Sequence, residues 1–117
     1  MSIKKVVQAG QPVLRKKAKT IKNVGAPEIK RLVKDLSDTM QASNLIGIAA
    51  PQIGKGVRVF VTKLTSTKLR NVKKAAPDPL RVFINPKIVS YSKQQKSDWE
   101  GCGSIAYAKI FAKVSRP

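Results

Sequence analysis

The sequence predicts an α+β fold in which one amphipathic helix near the N-terminus packs on short antiparallel strands. Two observations predict it: a long helical pattern of apolar residues in the first half of the chain, and short runs rich in β-branched residues after it. The chain has 117 residues, of which 42% are hydrophobic, so we expect a single small globular domain over residues 1–117.

The helix is predicted over residues 27–43. Apolar residues recur there with the i, i+3, i+4, i+7, i+11 spacing of one helical face, and they are Ile29, Leu32, Val33, Leu36 and Met40. Pro27 suits the first turn of a helix, and the Glu28 carboxylate favours the positive end of the helix dipole. We interpret the apolar stripe as core packing.

Strands are predicted after the helix. Residues 57–62 are mostly β-branched, and a second pair of strands is predicted at 80–85 and 88–91, joined by the Asn85-Pro86 turn. Residues 63–80 are expected to form a polar, basic connector between them.

The last part of the chain gives weaker signals. Residues 105–117 alternate only loosely between polar and apolar, and they predict no regular element. Trp99, the sole tryptophan, is expected to be a packing anchor.

The composition excludes several kinds of chemistry. The chain has no histidine, which excludes Ser-His-Asp and Cys-His catalysis and any His-ligated metal within it. Cys102 is the only cysteine, so no intramolecular disulfide can form. No apolar run approaches the roughly 20 residues that span a bilayer, so no membrane partner is predicted. The simplest expected location is the cytoplasm.

The charge is strongly positive. Lysine and arginine number 24 against six acidic residues, which gives a net charge of +18. Basic clusters lie at residues 15–19, 30–34 and 68–74, and such an excess is typical of phosphate binding. Aromatic residues make up only 5%, with no base-stacking pattern. Weak, salt-sensitive association with RNA or a ribosome surface is therefore favoured over specific recognition.

Two short motifs contain candidates for chemistry. Gly47-Ile48-Ala49-Ala50-Pro51-Gln52 is a segment of small residues that permits close backbone approach, and Gln52 can present its amide to a ligand. Glu100-Gly101-Cys102 places a carboxylate near a thiol. Taken alone, the first is equally consistent with a turn and the second with a small buried hydrophobic residue.

In this order and separation, the two motifs resemble those of the peptide deformylase family. The first family motif reads Gly-x-Gly-x-Ala-Ala-x-Gln, and residues 45–52 match it except at Leu45, which is expected to crowd the loop along the substrate. The second reads Glu-Gly-Cys-x-Ser and matches residues 100–104, with Gly103 where leucine is common. Ile84-Asn85-Pro86 and Pro12-Val13-Leu14-Arg15 also agree. The family's His-Glu-x-x-His motif and its central C-terminal helix are missing.

The resemblance implies metal-dependent hydrolysis of the N-formyl group of formyl-methionyl peptides. In the family, Fe²⁺ or Zn²⁺ is held by one cysteine and two histidines, and Cys102 is the only residue here that matches a ligand. The Gln52 side chain and the Gly103 N–H match the donors to the developing oxyanion.

Other positions match residues that bind substrate or support the site. Ile46 and Gly47 match the stretch that pairs with the substrate backbone. Glu100 matches a residue that holds a downstream arginine, for which Arg116 is the candidate.

Because two ligands and the proton-shuttling glutamate are lacking, the chain alone is expected to bind no metal and to lack deformylase activity. The missing helix is expected to leave apolar surface uncovered. Three alternatives stay open: a degenerate fragment, half of a split deformylase completed by another chain, and a basic RNA- or ribosome-binding module that reuses the fold.

Overall fold

The computed structural model describes residues 3–64, 78–104 and 112–117. In these ranges it has one α-helix, α1 (Pro27–Ala42), and five strands: β1 (Gly47–Ala49), β2 (Val59–Leu64), β3 (Asp78–Ile84), β4 (Lys96–Glu100) and β5 (Ala112–Arg116). The first three strands form an antiparallel sheet in the order β1-β2-β3, and β4 pairs with β5. The predicted α+β class is confirmed.

Helix α1 buries the apolar face that its periodicity predicts. Leu32, Leu36 and Met40 are buried, and they pack in one cluster with Ile48 of β1 and with Val59 and Val61 of β2. The helix begins at Pro27, as predicted, and ends one residue before the predicted limit. Full burial of a Leu or Met side chain stabilises a fold by about 1.5–3 kcal/mol. This cluster therefore fixes the helix on the sheet.

The sheet has two faces with different surroundings. Val59 and Val61 face the core, while Phe60 lies on the opposite face and stacks on Phe83 of β3, with the ring centroids 4.5 Å apart. The strand predicted at 57–62 begins two residues later, because Val57 forms only an isolated parallel bridge with Lys19.

The strand predicted at 88–91 is wrong. Residues 86–92 have no strand pairing, and Val89 is 90% exposed. β-Branched residues favour a strand only where a neighbouring strand receives them, and the described residues place none beside this segment. The ends of the predicted connector at 63–80 belong to β2 and β3, and residues 65–77 lie outside the described ranges.

The pairing of β4 with β5 was not predicted. Strand β5 occupies residues 112–116, where no element was expected, while residues 105–111 lie outside the described ranges. Trp99 on β4 is 60% exposed, so the expectation of a packing anchor is wrong. It lies opposite Lys113, and no apolar partner strand covers it within the described residues. No helix in the described ranges is long and apolar enough to cross a membrane.

Candidate active site between the two motifs

The side chain of Gln52 is oriented by the backbone of its own motif. After β1 the chain forms a 3₁₀ helix, Ala50–Ile53, which ends at Gly54 with φ +85°, a left-handed conformation that glycine adopts without strain. The Ala49 N–H donates a hydrogen bond to Gln52 Oε1 at 3.0 Å. This bond identifies the oxygen end of the amide, so the NH₂ group points away from the motif.

The Gln52 NH₂ group meets the second motif. Nε2 lies 3.5 Å from Cys102 Sγ and 3.4 Å from Ser104 Oγ, although the residues are some fifty positions apart in sequence. Cys102 is exposed, which contradicts the alternative of a buried hydrophobic cysteine, while Ser104 is only 6% exposed. The fold therefore brings the two motifs together with a donor amide facing an accessible thiol.

A short N-terminal segment, residues 6–9, joins the motifs from one side. The Val7 N–H donates to the Gln52 carbonyl oxygen at 2.7 Å, and the Ala9 N–H donates to the Ser104 carbonyl oxygen at 2.7 Å. Between them, Gln8 Nε2 donates to the Gly103 carbonyl oxygen at 2.9 Å. Sequence reasoning missed this segment, because no motif marks it and only long-range pairing reveals its role.

Gly103, the second candidate oxyanion donor, lies buried next to Leu45. A Cβ placed on Gly103 would lie 2.7 Å from Leu45 Cδ1 and 3.5 Å from Val6 Cγ1. The side chain of Leu45 therefore contacts the second motif. The sequence had predicted instead that Leu45 would crowd the loop of the first motif.

Ile46 and Gly47 lie at the edge of the sheet. Gly47 pairs with Thr62 of β2, and the Ile46 carbonyl oxygen accepts a hydrogen bond from the Lys63 N–H at 2.9 Å. Within the described ranges β1 is an edge strand of its sheet. An edge strand is the kind of element to which an extended peptide adds as a further strand.

Glu100 and Arg116 form a two-pronged ion pair across β4 and β5. Arg116 Nε and Nη2 donate to the two carboxylate oxygens, each at 2.6 Å. The hydrogen bond from Arg116 lowers the pKa of Glu100, and the same pair raises the pKa of Arg116. Both side chains are more than a third exposed, so the pair contributes little stability, but it orients the end of β4, two residues before Cys102.

The residues present do not complete a metal site. The described ranges contain all six acidic residues and the cysteine, and no three of these groups come close enough together to hold a metal ion. With no histidine in the chain, Cys102 is a single soft ligand, whereas catalytic zinc sites use three protein ligands.

The fold and the site define a small α+β protein in which an edge strand, a side-chain amide and a thiol share one site. Comparison with known proteins identifies the family. The family model described as polypeptide deformylase matches residues 3–117, and the chain belongs to the peptide deformylase family.

Individual relatives agree with the family assignment. The chain is 40% identical over 114 residues to a peptide deformylase of Pseudothermotoga lettingae, covering 97% of this chain and 57% of that protein. It is 38% identical over 103 residues to peptide deformylase 1 of Nitrosomonas europaea, covering 88% and 57%. It superimposes on the crystal structure of peptide deformylase from Ehrlichia chaffeensis with a TM-score of 0.81 and 27% identity, covering 98% and 64%. The chain thus spans less than two thirds of these relatives.

Proposed function

We propose that this chain contributes the substrate strand and the oxyanion donors of a peptide deformylase site, which removes the formyl group from N-formyl-methionyl peptides. The observation that supports this most directly is the Gln52 amide, fixed by Ala49 and aimed at Cys102. The two motifs are remote in sequence, and this contact brings their functional groups into one site.

Each part of the site has a task in this proposal. The substrate backbone lies along the edge of β1 at Ile46 and Gly47, as an added antiparallel or parallel strand. The Gln52 NH₂ and the Gly103 N–H donate hydrogen bonds to the formyl oxygen as it gains negative charge. Removing one such donor typically costs about 10²–10³-fold in rate.

We further propose that the chain is inactive by itself. A family metal such as Fe²⁺ or Zn²⁺ would need two more ligands beside Cys102, and the described residues do not supply them. Those ligands, with the proton-transferring glutamate, would come from a separate histidine-bearing segment.

The test is reconstitution. Residues 1–117 are mixed with Fe²⁺ under anaerobic conditions, and formate release from formyl-Met-Ala is measured with and without a separate segment that carries the family's His-Glu-x-x-His motif. We expect release only from the mixture, and none when both histidines of the added segment are replaced by alanine or when Cys102→Ser is used. Turnover by the chain alone would contradict the proposed inactivity, and a silent mixture would contradict a split enzyme.

A second candidate function is RNA or ribosome-surface binding, which the charge supports. Six acidic residues can neutralise at most six of the 24 cations, whatever their pairing. The cluster at residues 15–19 lies largely exposed, whereas the one at 68–74 lies outside the described ranges. Binding to a mixed RNA is expected to weaken steeply between 50 and 200 mM salt. Affinity that survives high salt would instead indicate a dedicated RNA-binding site.

The cytoplasm is the location that fits this proposal. A solitary exposed thiol at Cys102 remains reduced most readily in a compartment that keeps thiols reduced.

A further inference from the structure

Leu45 and Gly103 compete for one space beside the candidate site. Gly103 is buried, and a Cβ added to it would lie 2.7 Å from Leu45 Cδ1 and 3.5 Å from Leu45 Cδ2. Separations under 3.0 Å essentially never occur for a real Cβ atom, so the end of the Leu45 side chain would have to shift. The side chain of Leu45 therefore fills the volume that a side chain at position 103 would need.

The backbone of Leu45 is held by the end of α1. Its N–H donates to the Met40 carbonyl oxygen at 3.0 Å, just after Asn44 with φ +55°. The side chain of Leu45 is partly buried and packs against the core cluster. Leu45 thus joins three parts of the structure: the helix end, the strand that begins at Gly47, and the segment that carries Cys102.

Gly103 is also held by the N-terminal segment. Gln8 Nε2 donates to its carbonyl oxygen at 2.9 Å, and Val6 Cγ1 would lie 3.5 Å from a Cβ placed on Gly103. The peptide after Cys102 is therefore held between the Leu45 side chain and the N-terminal segment, residues 6–9.

We propose that Leu45 is a positioning residue for the Cys102–Gly103 turn, and that positions 45 and 103 form a size-exchange pair in which only one of them can carry a large side chain. The family motifs quoted above have the reverse assignment, with the small residue at position 45. The catalytic meaning of this positioning rests on the proposed function, whereas the steric exchange rests on the geometry alone.

The first test is a double-mutant cycle on stability. Gly103→Leu overpacks the space and is expected to lower the unfolding temperature by roughly 5–20 °C. Leu45→Gly is expected to lower it as well, because it removes partly buried apolar volume. The double variant L45G/G103L is expected to recover most of the loss, to within about 5 °C of the parent. Losses that simply add would overturn the exchange pair.

The second test measures position rather than stability. Iodoacetamide alkylates Cys102 alone, since the chain has one cysteine. Each single variant is expected to change the alkylation rate of the folded chain by threefold or more, and the double variant to return to within twofold of the parent. Single variants that lose stability but keep the parent's alkylation rate would overturn the positioning role.

A milder pair covers the case in which Gly103→Leu fails to fold. Gly103→Ala adds only the Cβ whose contact is at issue, and Leu45→Ala removes the contacting carbons. The same rescue is expected in L45A/G103A, and its absence overturns the proposal. None of these measurements requires turnover, so a failure of the formyl-peptide assay leaves their outcome readable.

Discussion

Gln52→Glu is expected to slow alkylation of Cys102 while leaving the first motif intact. The carboxylate keeps an oxygen for the Ala49 N–H, but it replaces the Nε2 donor with an oxygen 3.5 Å from Cys102 Sγ. Two unit charges at that distance repel by about 1 kcal/mol in water, which is the appropriate medium because Cys102 is exposed. Since the thiolate is the reacting form, the rate at neutral pH is expected to fall about fivefold.

The assay is the pseudo-first-order rate of iodoacetamide labelling, followed by intact mass. Gln41→Glu on the exposed side of α1 is the matched control, because it makes the same charge change away from the site. In 1 M salt, where the screening length is about 3 Å, the difference is expected to shrink. Equal rates for the parent and Gln52→Glu at low salt would refute the placement of the amide beside the sulfur, as would an equal slowing in the Gln41→Glu control.

Three further predictions concern stability and pH. Asn85 clips the N-terminal region to the end of β3 through two hydrogen bonds with the backbone of Ile21, at 2.7 and 2.9 Å, so Asn85→Ala is expected to cost about 2 kcal/mol in urea unfolding. Asn85→Gly removes the same two bonds but adopts the φ of +53° at this position without strain, so it is expected to cost about 1 kcal/mol or more, and a cost near zero would contradict the clip. Leu36→Ala removes a fully buried side chain of α1 and is expected to cost about 3 kcal/mol, whereas a cost under 1 kcal/mol would place this side chain outside the core. Because Arg116 lowers the pKa of Glu100, their ion pair contributes its full stabilisation above the ordinary Glu value near 4.5 and loses it as the pH falls through the lowered pKa; Glu100→Gln is therefore expected to be slightly less stable than the parent at pH 7, with a gap that narrows as the pH falls below 4.5, and a gap that widens toward acid would argue against the pair.

The helix could be predicted from sequence because its signal is redundant. Five apolar positions agree on one face, and burial of Leu36 and Met40 confirms that face. The strand predicted at 88–91 rests on composition alone, and composition says nothing about whether a partner strand is present. The pairing of β4 with β5 could not be predicted, because the described side chains of these strands are mostly exposed and give no apolar pattern. The register of the pair depends on contacts between residues that are remote in sequence.

The candidate site could be located from sequence only through its two motifs. The orientation of the Gln52 amide depends on a backbone donor at Ala49, which no side-chain pattern encodes. The sequence shows that Leu45 departs from the motif, but it cannot show that Leu45 contacts Gly103, because the two residues are 58 positions apart (103 minus 45). The role of the N-terminal segment, residues 6–9, could not be predicted either, because its partners are remote in sequence.

That segment also sets an order in which the site can be assembled. Gln8 and Gly103 are 95 positions apart, so their contact closes nearly the entire chain into a loop. When Val7 first docks on Gln52, the loop that remains to be closed is roughly halved, which lowers the entropic cost of the last step by about 0.6 kcal/mol. During synthesis the first motif and the N-terminal segment can therefore pair early, whereas the thiol joins them only after residue 104 has left the ribosome.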